Sequence, residues 1–191
     1  MKKAIKKVVR FYPTVKMARR ADGPKAPAAG RRPYVRLGER EVIAVEAQYP
    51  FGSRIPMVDR LRAGDACYAV PQDGGGFGAF VWVASGRSFY IPEVAADVWV
   101  PDDVAYFYEA FTFPEARGRG LMSSLLDAAV MDLAEHRAPN IRCEAWVARR
   151  NKASMRCFGK AGFETYDSFF FLAAGPVHLS VGRPWLREGS L

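Results

Sequence analysis

Arg117-Gly118-Arg119-Gly120-Leu121 combines the groups that can hold a phosphate. The arginines bring positive charge, and the glycines allow positive backbone angles and close approach to an anion. Before them, Val104 to Phe113 is rich in aromatic and β-branched residues and reads as a strand, which Pro114-Glu115-Ala116 then turns. After them, Leu121, Leu125, Ala128, Ala129 and Leu133 recur at helical spacing. A strand, a glycine turn and a helix in this order aim free amides and the helix dipole at one point, where negative charge is favoured. The same residues also suit a solvated surface turn, and on residue types alone both readings stand.

Other chemistry is thinner. Cys67, Cys143 and Cys157 form neither a disulfide framework nor a metal cluster, and a reducing cytoplasm is their simplest setting. Cys67 and Cys143 lie in strand-like runs and read as buried fillers. His136 and His178 supply no zinc constellation, so no metal is expected. Neither histidine is placed near a nucleophile, and no nucleophile elbow is present, which argues against a hydrolase triad.

The elements that must position the cradle can be read along the chain. At 191 residues, half of them apolar, the chain has enough material for one domain with a real core. No run is long and apolar enough to span a membrane. The net charge of +8 is unevenly divided: residues 1–40 carry 13 Lys and Arg against Asp22 and Glu39, and the remainder is slightly acidic. Residues 1–33 therefore read as a basic flexible leader, with Ile5, Val8, Val9 and Tyr12 at helical spacing before Pro13. The body is expected over 34–181 and a tail over 182–191. Within the body, helices are expected at Glu39–Ala47 and after Pro56, and a strand hairpin at Cys67–Val70 and Gly78–Ala84. Residues 88–103 fit either a strand pair or a loop facing substrate. A strand at Ile141–Val147 leads to Asn151, well placed to cap a helix over Lys152–Lys160 that Gly162 ends. Phe163–Ala173 resumes strand character, with a short edge strand after Pro176.

Together, residues 104–163 resemble the GNAT-type N-acetyltransferase superfamily. One match is Arg117-Gly118-Arg119-Gly120-Leu121 after an acidic-aromatic strand. The other is Val147 followed by Asn151, Ser154, Phe158, Lys160, Gly162 and Phe163. The resemblance implies an α/β fold with a mixed, splayed β-sheet flanked by helices, the acyl-CoA N-acyltransferase fold. It implies that Arg117, Gly118, Arg119, Gly120, Leu121 and Met122 meet the pyrophosphate of acetyl-CoA or another acyl-CoA. Met122 stands where the family has a small residue, which puts a side chain near the cradle. Asn151 and Ser154 are implied on the pantetheine side. Phe158 falls where many members have a tyrosine that protonates the departing thiolate, and phenylalanine has no proton to give. A backbone amide from the Glu109–Phe113 strand, among Phe111, Thr112 and Phe113, is implied to meet the thioester carbonyl.

The reaction so implied is direct acyl transfer to an amine, which must lose a proton before it attacks. Glu109, in the strand leading to the cradle, is the first candidate to accept that proton, with a solvated strand-face glutamate as its alternative, and Glu144 is the second. Alternation puts Arg142, Glu144 and Trp146 on one face, so a structural salt bridge is an alternative for Glu144. Tyr34, Tyr49, Phe51, Arg54, Tyr90, Trp99 and Tyr106 are candidates to line the acceptor pocket, with Arg54 suited to a carboxylate or phosphate. The expected acceptor is a small-molecule amine, and monomer and homodimer both stay open. The leader could meet an anionic membrane surface or an acidic partner, which would make a cytoplasmic protein peripheral to a membrane. The acidic body argues against a nucleic-acid face. The competing readings are a CoA-binding regulatory protein without transfer activity and a nucleic-acid or membrane-surface binder acting through the leader.

Overall fold

The computed structural model describes residues 9–21, 34–52, 55–91, 96–174 and 177–181. In chain order the strands are β1 (Val9–Arg20), β2 (Val35–Arg36), β3 (Ala66–Pro71), β4 (Phe77–Ala84), β5 (Arg87–Ile91), β6 (Ala96–Val100), β7 (Val104–Thr112), β8 (Arg142–Ala148), β9 (Glu164–Ala174) and β10 (Val177–Val181). The α-helices are α1 (Glu39–Gln48), α2 (Met57–Arg62), α3 (Leu121–His136) and α4 (Lys152–Lys160). Eight strands form one mixed sheet in the order β10-β9-β1-β8-β7-β4-β3-β2, and β5 and β6 form a separate ribbon.

The helices form where the sequence supplies termini. Glu41 accepts from the Gly38 amide at 3.1 Å and starts α1, which buries Val42 and Val45. The Glu46 carboxylate accepts from the Met57 amide at 3.1 Å, tying α1 to the start of α2. Apolar side chains of α3 and α4 cover one face of the sheet, where Leu125, Leu126, Ala129, Phe158 and Phe163 meet Val81, Phe107, Ala145 and Val147. On the opposite face α1 and α2 pack on Cys67, Phe80 and Trp82. The β5–β6 ribbon covers Tyr106 and Phe169 on that same side through Val98 and Val100. Residues 88–103 thus resolve into the strand-pair alternative around residues 92–95, which lie outside the described segments.

One sequence expectation is corrected here. Residues 9–20 do not belong to a flexible leader, nor do 9–12 continue a helix: they form β1, antiparallel to both β8 and β9. Lysines and arginines flank an apolar alternation in which Val15 and Met17 enter the α3 face of the core. The charges inside it are partnered. Lys16 is buried, pairs with Asp167 at 3.5 Å and lies against the Tyr166 and Phe169 rings. Burial pulls its amine below the ordinary lysine range, opposed by Asp167. Arg19 binds Asp127 at 2.7 Å and the Ala161 carbonyl. The rest of the expected leader, residues 1–8 and 22–33, and the expected tail, 182–191, lie outside the described residues.

Candidate functional site

The site is organised by two parallel strands that part. β7 pairs with β8 from Val104 opposite Arg142 to Phe107 opposite Ala145, and there the pairing ends. Beyond that point each strand keeps its outer partner: β7 stays with β4 as far as Thr112 opposite Ala79, and β8 stays with β1 as far as Ala148 opposite Thr14. The sheet therefore opens between residues 108–112 and 146–148. Phe113 donates its amide to the Gly78 carbonyl on the β4 side at 3.0 Å. Strand alternation then turns the amide and carbonyl of Thr112 to the opening and those of Phe111 back to β4. Of the three strand residues expected to meet the thioester, Thr112 is the one whose backbone faces the gap.

The glycine turn stands at the mouth of this opening. Gly118 and Gly120 have φ of +76° and +71°, and Gly120 forms the N-cap of α3 with no side-chain hydrogen bond. The amides of the first turn of α3 thus have no capping oxygen, which leaves a donor set for an anion. A Cβ on Gly118 would meet nothing within 4 Å, so the turn is open on that side. Beneath it Gly78 of β4 allows close seating, since a Cβ there would fall 2.7 Å from Leu121 Cδ1. These features fit a pyrophosphate. Met122 does not crowd the turn as its side chain suggested: that side chain is 7% exposed and packs in the core, so only its backbone is offered. Arg117 and Arg119 are exposed. Arg117 Nε donates to the Thr112 carbonyl at 3.2 Å, and its guanidinium lies over the Phe111 ring.

On the β8 side, Asn151 Oδ1 accepts from the Ser154 amide at 3.0 Å and caps α4, as the sequence predicts. Phe158 is buried against Phe163 with ring centroids 5.0 Å apart, and Phe163 meets Phe107 in turn. This position holds packing and no hydroxyl.

The opposite side of β7 carries the charged chemistry. Tyr108 sits opposite Trp82 and Phe111 opposite Phe80, so two residues, Glu109 and Ala110, face the single residue Val81. This is a β-bulge, and Glu109 adopts φ +48° in it. The extra residue changes the parity of the strand. Tyr106, Tyr108, Phe111 and Phe113 all lie on the α1/α2 and ribbon face, and Glu109 is aimed there as well. Its carboxylate is ion-paired with Arg60 and lies near the Tyr49 phenol. Burial, then Glu109, pushes the Tyr49 phenol up to about 12, so it remains a neutral donor. The Arg60 guanidinium lies 5.4 Å from the Trp82 ring centroid and 5.7 Å from that of Tyr108. The Tyr108 hydroxyl donates to Asp65 at 2.5 Å, and Asp65 is held by Arg87 through two nitrogens. Burial, then Asp65, drives the Tyr108 phenol well above its ordinary range.

Glu109, Phe111, Thr112, Arg117 and the glycine turn through Met122 thus gather around one end of β7, with Asn151 and Ser154 at the end of β8. Glu144 stands apart. It is 0% exposed, 2.8 Å from Arg142 and bonded to the Tyr166 hydroxyl, in the part of the sheet that stays paired. Burial raises its carboxyl above the usual range. Tyr106 is buried, stacked on Tyr108 and edge-on to Trp146. Trp99 is 57% exposed and alternates with Val98 and Val100, so it lies on the outer face of the ribbon. Tyr34 packs beside Tyr68 in the α3-side core. Tyr90 lies on β5 opposite Asp97, and Arg54 falls outside the described residues. Arg60, Asp65, Arg87 and Tyr108 were not legible as site residues, because their partners come from distant segments. A separate cleft of about 550 Å³, lined by Arg19, Asp127, Lys160 and Glu164 among others, touches none of this constellation.

The Acetyltransferase (GNAT) family model matches residues 44–163. Among solved structures, a Drosophila protein matches with a TM-score of 0.60 at 16% identity, over 88% of this chain and 52% of its own. A putative acetyltransferase of the GNAT family from Novosphingobium aromaticivorans matches with a TM-score of 0.51 at 22% identity, over 84% of this chain and 63% of its own. A phosphinothricin acetyltransferase from Sinorhizobium meliloti, in complex with AcCoA, matches with a TM-score of 0.50 at 14% identity, over 75% of this chain and 88% of its own. The chain therefore spans about half the length of the first and less than two thirds of the second, and the likeness at these identities is one of fold. No curated protein matches. Among the described residues, no helix is long and apolar enough to cross a membrane.

Proposed function

The chain belongs to the acetyltransferase (GNAT) family, and from that premise we propose that it transfers an acyl group, acetyl first, from acyl-CoA to the amine of a small molecule by direct attack in a ternary complex. The observation that carries this reading is the parting of β7 from β8, with an uncapped helix start at its mouth and a carboxylate on its far side.

In this reading the amides of Gly118 to Met122 hold the pyrophosphate, with Arg117 and Arg119 adding charge. The open edge of β7 pairs with the extended pantetheine arm, and Asn151 keeps α4 in place on the β8 side. Acyl-CoA supplies the activated thioester carbonyl. The Thr112 amide faces that carbonyl and stabilises negative charge as it develops on oxygen. From the other side of the strand, Glu109 receives the proton of the attacking amine, directly or through water. Arg60 and Tyr49 fix the carboxylate in position for that task. The amine nitrogen bonds to the acyl carbon, the carbon–sulfur bond breaks, and the electron pair leaves on sulfur. Phe158 provides no proton, so CoA departs as a thiolate or is protonated by solvent. The basic charge of residues 1–8 and 22–33 remains suited to an anionic surface or acidic partner beside this activity.

The buried Phe158 also favours a second reading, a CoA-binding protein without transfer. Amine-dependent release of free CoA from acetyl-CoA separates the two. Release that saturates in both substrates is the outcome expected for the enzyme. Tight acetyl-CoA binding with no release, across amines of every class, would establish the second reading.

A further inference from the structure

Resting on the acyltransferase reading, we infer that the acceptor is a monoamine with an apolar, preferably aromatic body, seated by the rings of Tyr49, Phe51 and Phe111 with its nitrogen toward Glu109. These three rings form a corner. The Tyr49–Phe51, Tyr49–Phe111 and Phe51–Phe111 centroids are 5.6, 5.0 and 5.8 Å apart, at interplanar angles of 74°, 80° and 88°. Three rings set nearly at right angles present faces and edges together, an arrangement that receives an aromatic or aliphatic body and favours a cation beside it. Phe80 backs the corner, 5.4 Å from Tyr49 and 5.9 Å from Phe111. Phe51 is 74% exposed at its rim, a large apolar side chain left in water at the approach to the carboxylate. Glu109 stands two residues before Phe111 on β7 and is aimed at the same face as Phe111 and Tyr49, which joins the two features.

Charge separates this class of acceptor from the others. Among the described residues on this face, Arg60 is committed to Glu109 and Arg87 to Asp65. Arg117, over the Phe111 ring, holds the Thr112 carbonyl, and an acceptor carboxylate or phosphate drawn to Arg60 or Arg87 would have to break one of these pairs. A polyamine needs several carboxylates, and among the described residues Glu109, already shared with Arg60, is the carboxylate beside Phe111 on this face. An amino sugar would set hydroxyl groups against three apolar rings and lose their hydration. A monoamine on an apolar body needs one acceptor of hydrogen bonds and apolar walls, which Glu109 and the three rings supply.

The test uses the full chain with acetyl-CoA and four amines: 2-phenylethylamine, glutamate, spermidine and glucosamine. The kcat/KM for 2-phenylethylamine is expected to exceed the others by at least about tenfold. The Phe51→Ala variant, altered at an exposed rim, should raise the KM for 2-phenylethylamine by about tenfold with little change in kcat. A higher kcat/KM for glutamate, spermidine or glucosamine, or a Phe51→Ala loss that falls on kcat for all amines alike, overturns the inference and leaves the acyltransferase reading intact. Absence of acetyl-CoA binding by calorimetry overturns both.

Discussion

The two sides of β7 are built by different means. The donor side is local: a strand, a 3₁₀ turn over Pro114–Ala116, two glycines at positive φ and a helix follow one another without interruption. The acceptor side is assembled from afar. Glu109 meets Arg60 of α2 and Tyr49 from the end of α1, and Tyr108 meets Asp65 before β3. The donor side offers backbone amides, whose direction the fold fixes. The acceptor side offers side chains, whose direction depends on their partners. Substitutions should therefore separate along this line, with donor-side changes moving acyl-CoA affinity and acceptor-side changes moving turnover.

The largest effect is expected at Glu109. Glu109→Gln keeps the shape and removes the proposed proton acceptor, and should lower kcat about 100-fold in a CoA-release assay. Its acetyl-CoA affinity, by calorimetry, should stay near wild type. A matching loss of affinity would erase the distinction between the two sides. Arg60→Met is expected to follow. It leaves a half-buried carboxylate without its partner, and should cost about 2 kcal/mol in denaturant unfolding, a value discounted for partial exposure. It should also lower kcat more than it raises the KM for acetyl-CoA, because Glu109 loses its anchor. An unchanged kcat would mean that Arg60 holds the fold and not the carboxylate.

On the donor side, Gly120→Val places a β-branched residue at φ +71°. The strain is about 1–2 kcal/mol, enough to turn the amides and weaken acetyl-CoA binding about tenfold. Its kcat at saturating donor should change less than that of Glu109→Gln.

The smallest expected effect concerns Glu144, which the fold removes from both sides. Burial holds its folded pKa above the ordinary value near 4.5, so folding favours its protonated form. That contribution is full at low pH and fades as pH rises through the raised pKa. Thermal melts from about pH 4 to about pH 7 should show wild type losing ground against Glu144→Gln as pH rises. Parallel curves would contradict the assignment of Glu144 as a buried structural acid.

The same contrast explains what the sequence revealed. Asn151 and the helix it caps are three residues apart from donor to acceptor, and the cap is readable as a short-range pattern. The glycine turn is readable for the same reason. Met122 was legible as a departure from the family but not as harmless, because its direction depends on how α3 sits on the sheet. β1 was hidden by its charges. Lys16 reads as part of a basic leader until Asp167 and the rings of β9 are brought beside it. Glu109 was legible as a carboxylate near the cradle, but its face was not. Period-two alternation puts it opposite Tyr108, and the bulge that cancels this rests on pairing with β4. The network from Tyr49 to Arg87 left no trace in spacing at all.

Amide hydrogen exchange along β7, followed by NMR with and without saturating acetyl-CoA, tests the central claim most directly. If the opening between β7 and β8 receives the acyl-CoA arm, the Thr112 amide, which faces that opening, should slow by at least about tenfold, whereas Phe113, already bonded to Gly78, should change little. No binding, or binding that protects residues elsewhere while Thr112 exchanges as before, would contradict it.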